Sequence, residues 1–487
     1  MILLREKPFA YAVVNEKTVS VCHNCMILPG VRKNTVLKRC SQCKFAHYCS
    51  VRCQKEDFGE HRLQCRMISA CQPSIPSAEI RLLAQIVLKL MRNADVANED
   101  DPVSRSFYDL DGGAALLQNN ISRQLKYKTL VKSLMSYFEK SDFNKCSLST
   151  QDLTLIAARM DFNMSGSVAV GDNINTCSYA AAIYLKLNWI GHSCWPNCSY
   201  FYSGKDVIIY SLSDEAGLKW SEPPTNLTVS YCPLLHTKAE RQYFLKENYN
   251  IVCSCCRCLD SEADAKANAV CCQICTNGIA VPEHKSDDGK QQPLSLYRCQ
   301  NPACAASYDG LVCSHIIHVA RNLNKDMLEY MDSVGQSVHA VSVEDLVRRY
   351  ELIKDCLPHC NAHRARLNIS VRSLLLDDPC RFLRYAKLEL ESAKYFYPER
   401  HFAYLLAFIG TLKAYQGAIA HCISHSNHSR YDDVQLLLLI SDAAEIGEHV
   451  TDEISKAVGA SDAHLFLGYT DTLDFLNRLN AMLEALD

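Results

Sequence analysis

The spacing of apolar residues divides the chain into a mixed first part and a long helical tail. Short apolar runs at Met1–Leu4 and Ala10–Val14 predict strands near the amino terminus. Apolar positions three and four residues apart predict helices farther along, over Ala78–Met91, Arg123–Lys140 and Thr150–Met160. The polar segment Asn93–Ser104 predicts a loop between the first two helices.

Short strands replace helices between Gly166 and Tyr231. Ser199–Tyr202 and Val207–Tyr210 flank Ser203-Gly204-Lys205, which is typical of a hairpin turn. Thr225–Tyr231 alternates apolar and polar residues, as a half-buried strand does. This part of the chain therefore predicts a small β-domain.

The tail beyond residue 313 predicts amphipathic helices to the end of the chain. Ser342 is placed to cap a helix that runs to Cys356, with Asp345 at its third position. Farther on, Tyr404–Tyr415 and Ala418–Ser424 predict two helices joined at Gly417, and Ser426–Ser429 predicts a loop. Stacked helical pairs with a peptide groove are narrowly favoured over a plain helical bundle.

The chain has twenty-seven cysteines, and many of them lie at spacings that are typical of metal ligands. Eight candidate ligands lie between residues 22 and 65, in the pairs Cys22 and Cys25, Cys40 and Cys43, Cys49 and Cys53, and His61 and Cys65. Eight such ligands predict two closed tetrahedral zinc sites, which are structural and leave no open position for catalysis. The alternative, a disulfide-rich secreted module, needs a secretory signal, and the first residues lack its apolar core.

Net charge and hydropathy indicate which of three kinds of partner the chain is expected to bind: nucleic acids, acidic molecules or membranes. The net charge of -3 argues against a nucleic-acid binder as a whole. Eight basic residues face three acidic ones between residues 22 and 65. A solvated face is the favoured interpretation of that surplus, and contact with an acidic partner or with phosphates is the alternative. No apolar run is expected to reach transmembrane length, the longest candidate being Ala180–Ile190.

Two further cysteine zones follow the predicted β-domain. Cys253, Cys255 and Cys258 offer three ligands within six residues, and Cys194 is the candidate for the fourth; free buried cysteines are the alternative. Four more cysteines form a weaker array, Cys272, Cys275, Cys299 and Cys304. Cys271 and Cys313 could also contribute to it. A zinc knuckle is the favoured interpretation of the array, and a loosely ordered insertion is the alternative.

These motifs together resemble the SET and MYND domain (SMYD) family of protein lysine methyltransferases. The eight-ligand array with Tyr48-Cys49-Ser50 resembles the MYND finger. Gly191-His192-Ser193-Cys194-Trp195-Pro196-Asn197-Cys198 resembles the SET signature, and Asn226–Tyr231 resembles the strand that ends in the catalytic tyrosine. The cysteines from 253 to 258 resemble the post-SET zinc cluster, and the tail resembles the family's tetratricopeptide-like (TPR-like) domain.

The resemblance implies a ligand set and an activity. One finger zinc would take Cys22, Cys25, Cys49 and Cys53, the other Cys40, Cys43, His61 and Cys65, and Cys194 would complete the post-SET site. The cofactors would be three zinc ions, or four with the 272–304 array, and S-adenosylmethionine. Tyr231 would be catalytic, Phe162 and Tyr249 would wall the lysine channel, and Asn188, Gly191, His192 and Tyr231 would contact the cofactor.

The chain departs from the family pattern near the cofactor. Met1 begins at the strand that follows the family's Gly-x-Gly turn. Gly191 stands in place of the signature asparagine, and Ile251 in place of an adenine-stacking aromatic residue. Pro223-Pro224-Thr225-Asn226-Leu227 replaces the usual Gly-Glu-Glu-Leu. Several lost contacts of about 1 kcal/mol or more each predict weak cofactor binding.

The expected fold class is α+β multidomain, with a SET β-fold that is split by the MYND finger. The expected segments are an amino-terminal SET part at 1–21, the finger at 22–65, a helical insertion at 66–160, the SET core at 161–235, a post-SET segment at 236–260, a cysteine-rich insertion at 261–313 and a TPR-like all-α domain at 314–487.

Two functional hypotheses follow. One is an active lysine methyltransferase acting on histone or other proteins, whose missing first strand reflects a truncated gene model or a short isoform. The other is a catalytically weak adaptor that binds proteins, including proline-rich peptides at the finger. We expect a monomer, without membrane contact, in the cytoplasm and nucleus, and nucleic-acid binding has little support.

Overall fold

The computed structural model describes residues 1–28, 36–92, 105–113, 117, 120–140, 146–167, 179–213, 218–275, 277–283, 296–333, 341–425, 430–466 and 468–484. The loops that the sequence predicts at 93–104 and 426–429 lie outside these residues. Among the described cysteines none forms a disulfide. This agrees with metal-ligand cysteines rather than with a disulfide framework.

The first two strands belong to sheets whose other strands come much later in the chain. Strand β1 (Ile2–Glu6) pairs antiparallel with β9 (Asp206–Ser211), which pairs with β8 (Cys198–Ser203). Strand β2 (Ala10–Val13) pairs with β6 (Ala180–Ile183), which pairs with β5 (Met164–Ser167). The finger and the helices after it are therefore inserted between strands of common sheets.

The finger consists of a two-stranded ribbon and a long helix. Strands β3 (Lys38–Arg39) and β4 (His47–Tyr48) pair antiparallel, and helix α1 (Val51–Ala70) follows. The Ser50 hydroxyl caps α1 by accepting a hydrogen bond from the Cys53 amide at 3.1 Å. This cap fixes the turn on which two of the predicted zinc ligands lie.

Three helices pack beside the finger and share its core. Their bounds are α2 (Ala78–Leu90), α3 (Ile121–Glu139) and α4 (Thr150–Asn163). Ser149 and Asp152 form a capping box at the start of α4. The helical predictions for this part are confirmed to within three residues at each end.

The hairpin of β8 and β9 reaches back to the finger. Gly204 in its turn has φ +66°, and a Cβ there would lie 2.7 Å from the Cys25 carbonyl oxygen. Only glycine allows this close approach with a left-handed backbone. The turn predicted at Ser203-Gly204-Lys205 is confirmed, and it places the hairpin against the finger, which the sequence did not predict.

The strand predicted over Thr225–Tyr231 is wrong in its extent. Strand β10 covers only Thr228–Val229 and pairs parallel with β7 (Gly191–His192). The Asn197 side chain takes the place of ladder bonds, because its Oδ1 accepts from the Thr228 amide at 2.8 Å and its Nδ2 donates to the Asn226 carbonyl at 2.8 Å. Side-chain hydrogen bonding of this kind competes with sheet pairing.

Three helices and a four-stranded sheet follow this region. The helices are α5 (Lys238–Tyr249), α6 (Cys256–Leu259) and α7 (Ser261–Ala267). The sheet has the order β11 (Val270–Cys271), β12 (Ile279–Pro282), β13 (Leu296–Cys299) and β14 (Ser307–Asp309). We call this antiparallel sheet and its cysteines the ribbon.

The tail is helical, with neighbours in sequence packed side by side. Its helices are α8 (Gly310–Asp332), α9 (Val343–Ile353), α10 (Ala362–Ser373), α11 (Pro379–Phe396), α12 (Phe402–His425), α13 (Arg430–Val458) and α14 (Tyr469–Glu484). The Ser342 cap is confirmed, since its hydroxyl accepts from the Asp345 amide at 3.1 Å. Single-turn 3-10 helices lie at Asn15–Lys17, Phe107–Asp109, Leu187–Trp189, Lys354–Cys356 and Ala463–Leu465.

The break predicted at Gly417 is wrong, because α12 continues through it. A Cβ at Gly417 would meet only the Pro379 side chain, at 3.6 Å, which is an ordinary contact, and the glycine lies within a continuous helix. Helix α12 is also long and apolar enough to cross a membrane, which corrects the expectation drawn from Ala180–Ile190. Its apolar window is 72% buried against other parts of the protein, as in the core helix of a soluble protein.

The tail packs on the β-domain through a common apolar core. Phe201, Ile208 and Tyr210 from the hairpin join residues of α12 and α13 in one cluster. The Tyr210 hydroxyl donates to the Arg400 carbonyl at 2.8 Å, at the start of the tail's central helices. The hairpin therefore links the tail to the sheet that carries the SET-like motifs.

Candidate functional site

The finger brings its eight predicted ligands together in two groups of four. Within each group the ligand atoms lie within 4.8 Å of one another, and the groups are Cys22, Cys25, Cys49 and Cys53, and Cys40, Cys43, His61 and Cys65. This interleaving is the one that the resemblance implies. Sulfur atoms of Cys49 and Cys53 are 3.5 Å apart, and Cys43 Sγ is 3.6 Å from His61 Nε2. Such cages suit tetrahedral zinc.

A buried carboxylate ties the finger to the neighbouring sheet. Asp57 on α1 accepts hydrogen bonds from the Tyr11 hydroxyl of β2 and from the Tyr48 hydroxyl of β4, the latter at 2.7 Å. Burial raises the pKa of both tyrosines, so each keeps its proton and donates. The finger is therefore held against the sheet by a satisfied polar contact.

A third group forms where a loop of the β-domain meets the segment after α5. The sulfur atoms of Cys194, Cys253, Cys255 and Cys258 lie within 4.8 Å of one another. Cys194 Sγ is 3.6 Å from Cys258 Sγ and 4.0 Å from Cys253 Sγ. Arg241 Nη2 lies 3.9 Å from Cys258 Sγ and places positive charge beside the thiolates. The structure thus joins Cys194 to the cluster 59 residues later.

His192 connects this third group to Tyr231. Its Nδ1 accepts a hydrogen bond from the Tyr231 amide at 3.0 Å, and its Nε2 lies 3.3 Å from Cys194 Sγ. Burial lowers the pKa of His192 to about 4, so the ring is neutral near pH 7. With Nδ1 accepting, the proton lies on Nε2, which donates toward the sulfur. Cys232, which the sequence interpretation missed, is 3.9 Å from Cys194 Sγ.

Tyr231 lies in a cluster of aromatic rings. Its ring centroid is 5.1 Å from that of Tyr249 and 5.3 Å from that of His192, and Tyr249 is 5.6 Å from Phe162. The Tyr231 hydroxyl donates to the Ile190 carbonyl. Burial raises the pKa of Tyr231 to about 12, with Tyr249 and Tyr200 adding to the effect, so its hydroxyl is neutral near pH 7. The predicted catalytic and channel residues are therefore neighbours.

Tyr200 packs near Tyr231 and was not among the predicted site residues. Burial raises the pKa of Tyr200, and the nearby Tyr249 raises it further. Tyr200 packs in the same apolar cluster as Tyr231, whereas Phe201 faces the tail. Alternation along β8 separates these two faces, so the period of two in the sequence could have identified Tyr200.

The residues predicted to contact the cofactor differ in their exposure and in their hydrogen bonds to other parts of the protein. The Asn188 side-chain Nδ2 donates to the Asn163 carbonyl at 2.8 Å, which uses one of its two N–H groups. Gly191 is exposed, and a Cβ there would meet only the Leu227 carbonyl oxygen at 3.9 Å. Ile251 is half-buried beside Tyr231 and Tyr249. The aliphatic Ile251 therefore offers no aromatic ring for stacking beside Tyr231 and Tyr249.

A cavity of about 330 Å³ opens beside the aromatic cluster. Its lining residues are Arg123, Lys126, Asp161, Phe162, Met164, Asn248 and Tyr249. Lys126 pairs with Asp161 at 2.7 Å, and Arg123 donates to the Glu247 carbonyl at 2.9 Å. Phe162 and Tyr249 thus form a wall between this cavity and Tyr231.

A fourth group lies in the ribbon. Cys272, Cys275, Cys299 and Cys304 have sulfur atoms within 4.8 Å of one another. Neither of the two further candidates is in that group: Cys313 packs in an apolar cluster of the tail, and Cys271 lies outside the sulfur cage. The alternative of a loosely ordered insertion is wrong for the described part, because one four-stranded sheet frames the cysteines. Cys299 ends β13, and Cys272, Cys275 and Cys304 lie in the turns between strands.

Comparison with known proteins identifies the finger and a set of relatives. Residues 22–65 match the MYND finger family. The chain is 28% identical over 270 residues to histone-lysine N-methyltransferase SMYD3 of Mus musculus, covering 54% of this chain and 57% of that protein. SET domain-containing protein 14 of Caenorhabditis elegans is 28% identical over 278 residues, covering 56% and 59%.

A third relative, N-lysine methyltransferase SMYD2 of Gallus gallus, is 26% identical over 235 residues, covering 47% of this chain and 49% of that protein. The chain thus spans about half the length of the curated relatives that it matches. The resemblance drawn from the motifs is confirmed: the chain is related to the SET and MYND domain (SMYD) protein family.

Proposed function

We propose that this protein is an S-adenosylmethionine-dependent protein-lysine N-methyltransferase. The observation that carries the proposal is the position of Tyr231, which lies among aromatic rings and is joined through His192 to the Cys194 metal group. The relatives support it, because SMYD3 and SMYD2 are named as lysine methyltransferases. The adaptor hypothesis has no comparable support from the relatives.

The cofactor would supply a methyl group bound to a positive sulfonium. A free lysine amine has a pKa of about 10.4, so the lysine must lose its proton before it can attack. Burial between Tyr249 and Phe162 would favour the neutral amine, because low-dielectric surroundings disfavour charge. The neutral Tyr231 hydroxyl, oriented by the Ile190 carbonyl, would fix the geometry of the reacting groups.

The cofactor would be bound mainly by backbone groups rather than by side chains. Gly191 and His192 lie in a short parallel pair with β10, which exposes the backbone of Gly191 beside Tyr231. One N–H of the Asn188 side chain is bonded to the Asn163 carbonyl, and Ile251 cannot stack as an aromatic ring would. The residues of this chain therefore fit the methyl end of the cofactor better than its adenine end.

Three zinc ions belong to this proposal. Two would close the cages of the finger, and the third would tie the Cys194 loop to the segment from 253 to 258. All three are structural, because every position is taken by protein ligands. The third ion would also fix His192, and through it the backbone of Tyr231.

The partners follow from the same arrangement. The substrate would be a lysine of a histone or another protein, with a role in transcriptional regulation, in the cytoplasm and nucleus. Val51 and Phe58 are exposed on α1 of the finger, at 64% and 57% exposed, and would contact a proline-rich peptide. The tail would serve as a TPR-like peptide-binding domain, and the protein would act as a monomer.

Methyl transfer tests the proposal. The purified chain is incubated with methyl-tritiated S-adenosylmethionine and with purified histones or a protein array. We expect label on selected proteins with the wild type, loss of most of that label with Tyr231→Phe, and wild-type labelling with Tyr243→Phe. Tyr243 is the matched control because it is 71% exposed and lies outside the aromatic cluster. Equal labelling by all three forms would exclude Tyr231 as the catalytic tyrosine, and labelling by none would favour the adaptor.

A further inference from the structure

We propose that the ribbon binds a fourth zinc ion through Cys272, Cys275, Cys299 and Cys304, and that this ion holds the ribbon against the helical tail. The proposal does not rest on methyl transfer. It rests on the sulfur geometry, on the groups that surround the sulfurs and on the core that the sheet shares with the tail.

The sulfur positions are those of a tetrahedral cage. Cys272 Sγ is 3.6 Å from Cys304 Sγ, and Cys275 Sγ is 3.6 Å from Cys299 Sγ. A Zn–S bond of about 2.3 Å in a tetrahedron places sulfurs about 3.8 Å apart. A disulfide would need about 2.05 Å. The spacing therefore fits four thiolates around one ion and not two disulfides.

Hydrogen bonds in the ribbon point at the sulfurs as acceptors. The Cys275 amide donates to Cys272 Sγ at 3.5 Å, and the Asn301 amide donates to Cys299 Sγ at 3.4 Å. The Tyr308 hydroxyl accepts from the Gln273 amide at 2.8 Å and lies 2.9 Å from Cys272 Sγ. If Cys272 is a metal-bound thiolate, it has no proton, and the Tyr308 hydroxyl would donate to its sulfur.

Gly278 leaves room for the cage. A Cβ at this residue would lie 2.5 Å from Cys275 Sγ and 2.7 Å from Cys299 Sγ. No side chain fits there without displacing two of the four sulfurs. The backbone of the turn before β12 therefore closes one side of the cage, and the protein supplies all four ligands. Such a closed site is structural and not catalytic.

The sheet that holds the cage is also part of the tail. Val270, Ala280 and Tyr297 are buried in one apolar cluster with residues of α8, α9 and α10. The Asn361 side chain, fully buried, donates to the Ala269 carbonyl at 2.8 Å just before β11. Loss of the ion would release the strands that contribute these residues. It should therefore loosen the first helices of the tail and leave the finger unchanged.

Zinc content of the purified full chain tests the site. We expect four zinc ions per chain by elemental analysis, and three in Cys304→Ser. Cys271→Ser is the matched control, because Cys271 is adjacent in sequence to the cage and outside it, and it should keep four. Gly278→Ala should also lower zinc to three. Equal zinc content in Cys304→Ser and the wild type, or iron in place of zinc, would overturn the assignment.

Hydrogen exchange tests the link to the tail. In Cys304→Ser, amides of β12, β13 and α8 should exchange at least tenfold faster than in the wild type, while those of α1 in the finger keep their rates. Equally faster amide exchange in the finger and the tail would contradict an effect of the ion that is confined to the ribbon and the first helices of the tail. Unchanged exchange in α8 would contradict the coupling to the tail even if the zinc count falls.

Discussion

Restoring the asparagine of the SET signature at Gly191 should strengthen binding of S-adenosylmethionine. Gly191 is exposed in β7, and an added Cβ would meet only the Leu227 carbonyl oxygen at 3.9 Å, an ordinary contact. The neighbouring His192 is already fixed by Tyr231 and Cys194, so the loop needs no rearrangement. The new amide would be the only group that changes at the site.

The expected gain follows from one neutral hydrogen bond. Such a bond contributes about 1 kcal/mol net, which corresponds to about a fivefold lower dissociation constant at 25 °C. Isothermal titration calorimetry of the wild type and Gly191→Asn with S-adenosylmethionine measures this ratio. Gly191→Ala is the control, because it changes the backbone freedom as the asparagine does but adds no amide.

The dissociation constants of the wild type and the two variants together show whether the asparagine amide contacts the cofactor. Weak binding by the wild type, about fivefold tighter binding by the asparagine variant and unchanged binding by the alanine variant are expected. An equal gain in Gly191→Ala would show that backbone stiffness and not the amide is responsible. Tight binding by the wild type would refute the inference that the lost contacts weaken the cofactor site.

Three further changes test other parts of the structure. Tyr231→Phe should remove most methyl transfer in initial-rate assays. It should lower the free energy of unfolding in urea by only about 1 kcal/mol, because one hydrogen bond to the Ile190 carbonyl is lost. Cys25→Ser should unfold the finger, seen as lost zinc and fast hydrogen exchange there, with the tail unchanged, because zinc binding and folding are coupled. Gly417→Ala should raise stability by about 0.5–1 kcal/mol in the same denaturation assay. Gly447→Ala should gain less, because its Cβ would lie 3.2 Å from Leu476; equal gains would contradict this packing argument.

Spacing in the sequence was sufficient to find the candidate metal ligands of the finger and the longer helices, whereas the division of those ligands into two groups came from the family resemblance. A pair of cysteines two residues apart can face one ion whatever surrounds it, so the ligands from Cys22 to Cys65 could be found locally. Helix α2 is amphipathic over its whole length, and its bounds differ from the prediction by one residue. These features depend on neighbours in sequence, and for that reason they were predictable.

Features that depend on distant residues were not predictable in this way. The strand expected over Thr225–Tyr231 is short because Asn197 bonds its backbone, and nothing in the strand itself signals that partner. Gly417 lies inside α12, which packs against α11 and α13, and tertiary packing of a helix can override the low helix propensity of a single glycine. The place of Cys232 beside Cys194 likewise requires the folded chain.

Mass spectrometry of methylated products identifies the atom that receives the methyl group and whether Tyr231 is needed for the transfer. The wild-type chain is incubated with S-adenosylmethionine carrying a deuterated methyl group and with the proteins that it labels, and the products are fragmented to assign the modified atom. We expect deuterated methyl groups on lysine ε-amines with the wild type and loss of most of them with Tyr231→Phe. Label on another residue type, or the same lysine label with both forms, would contradict this expectation.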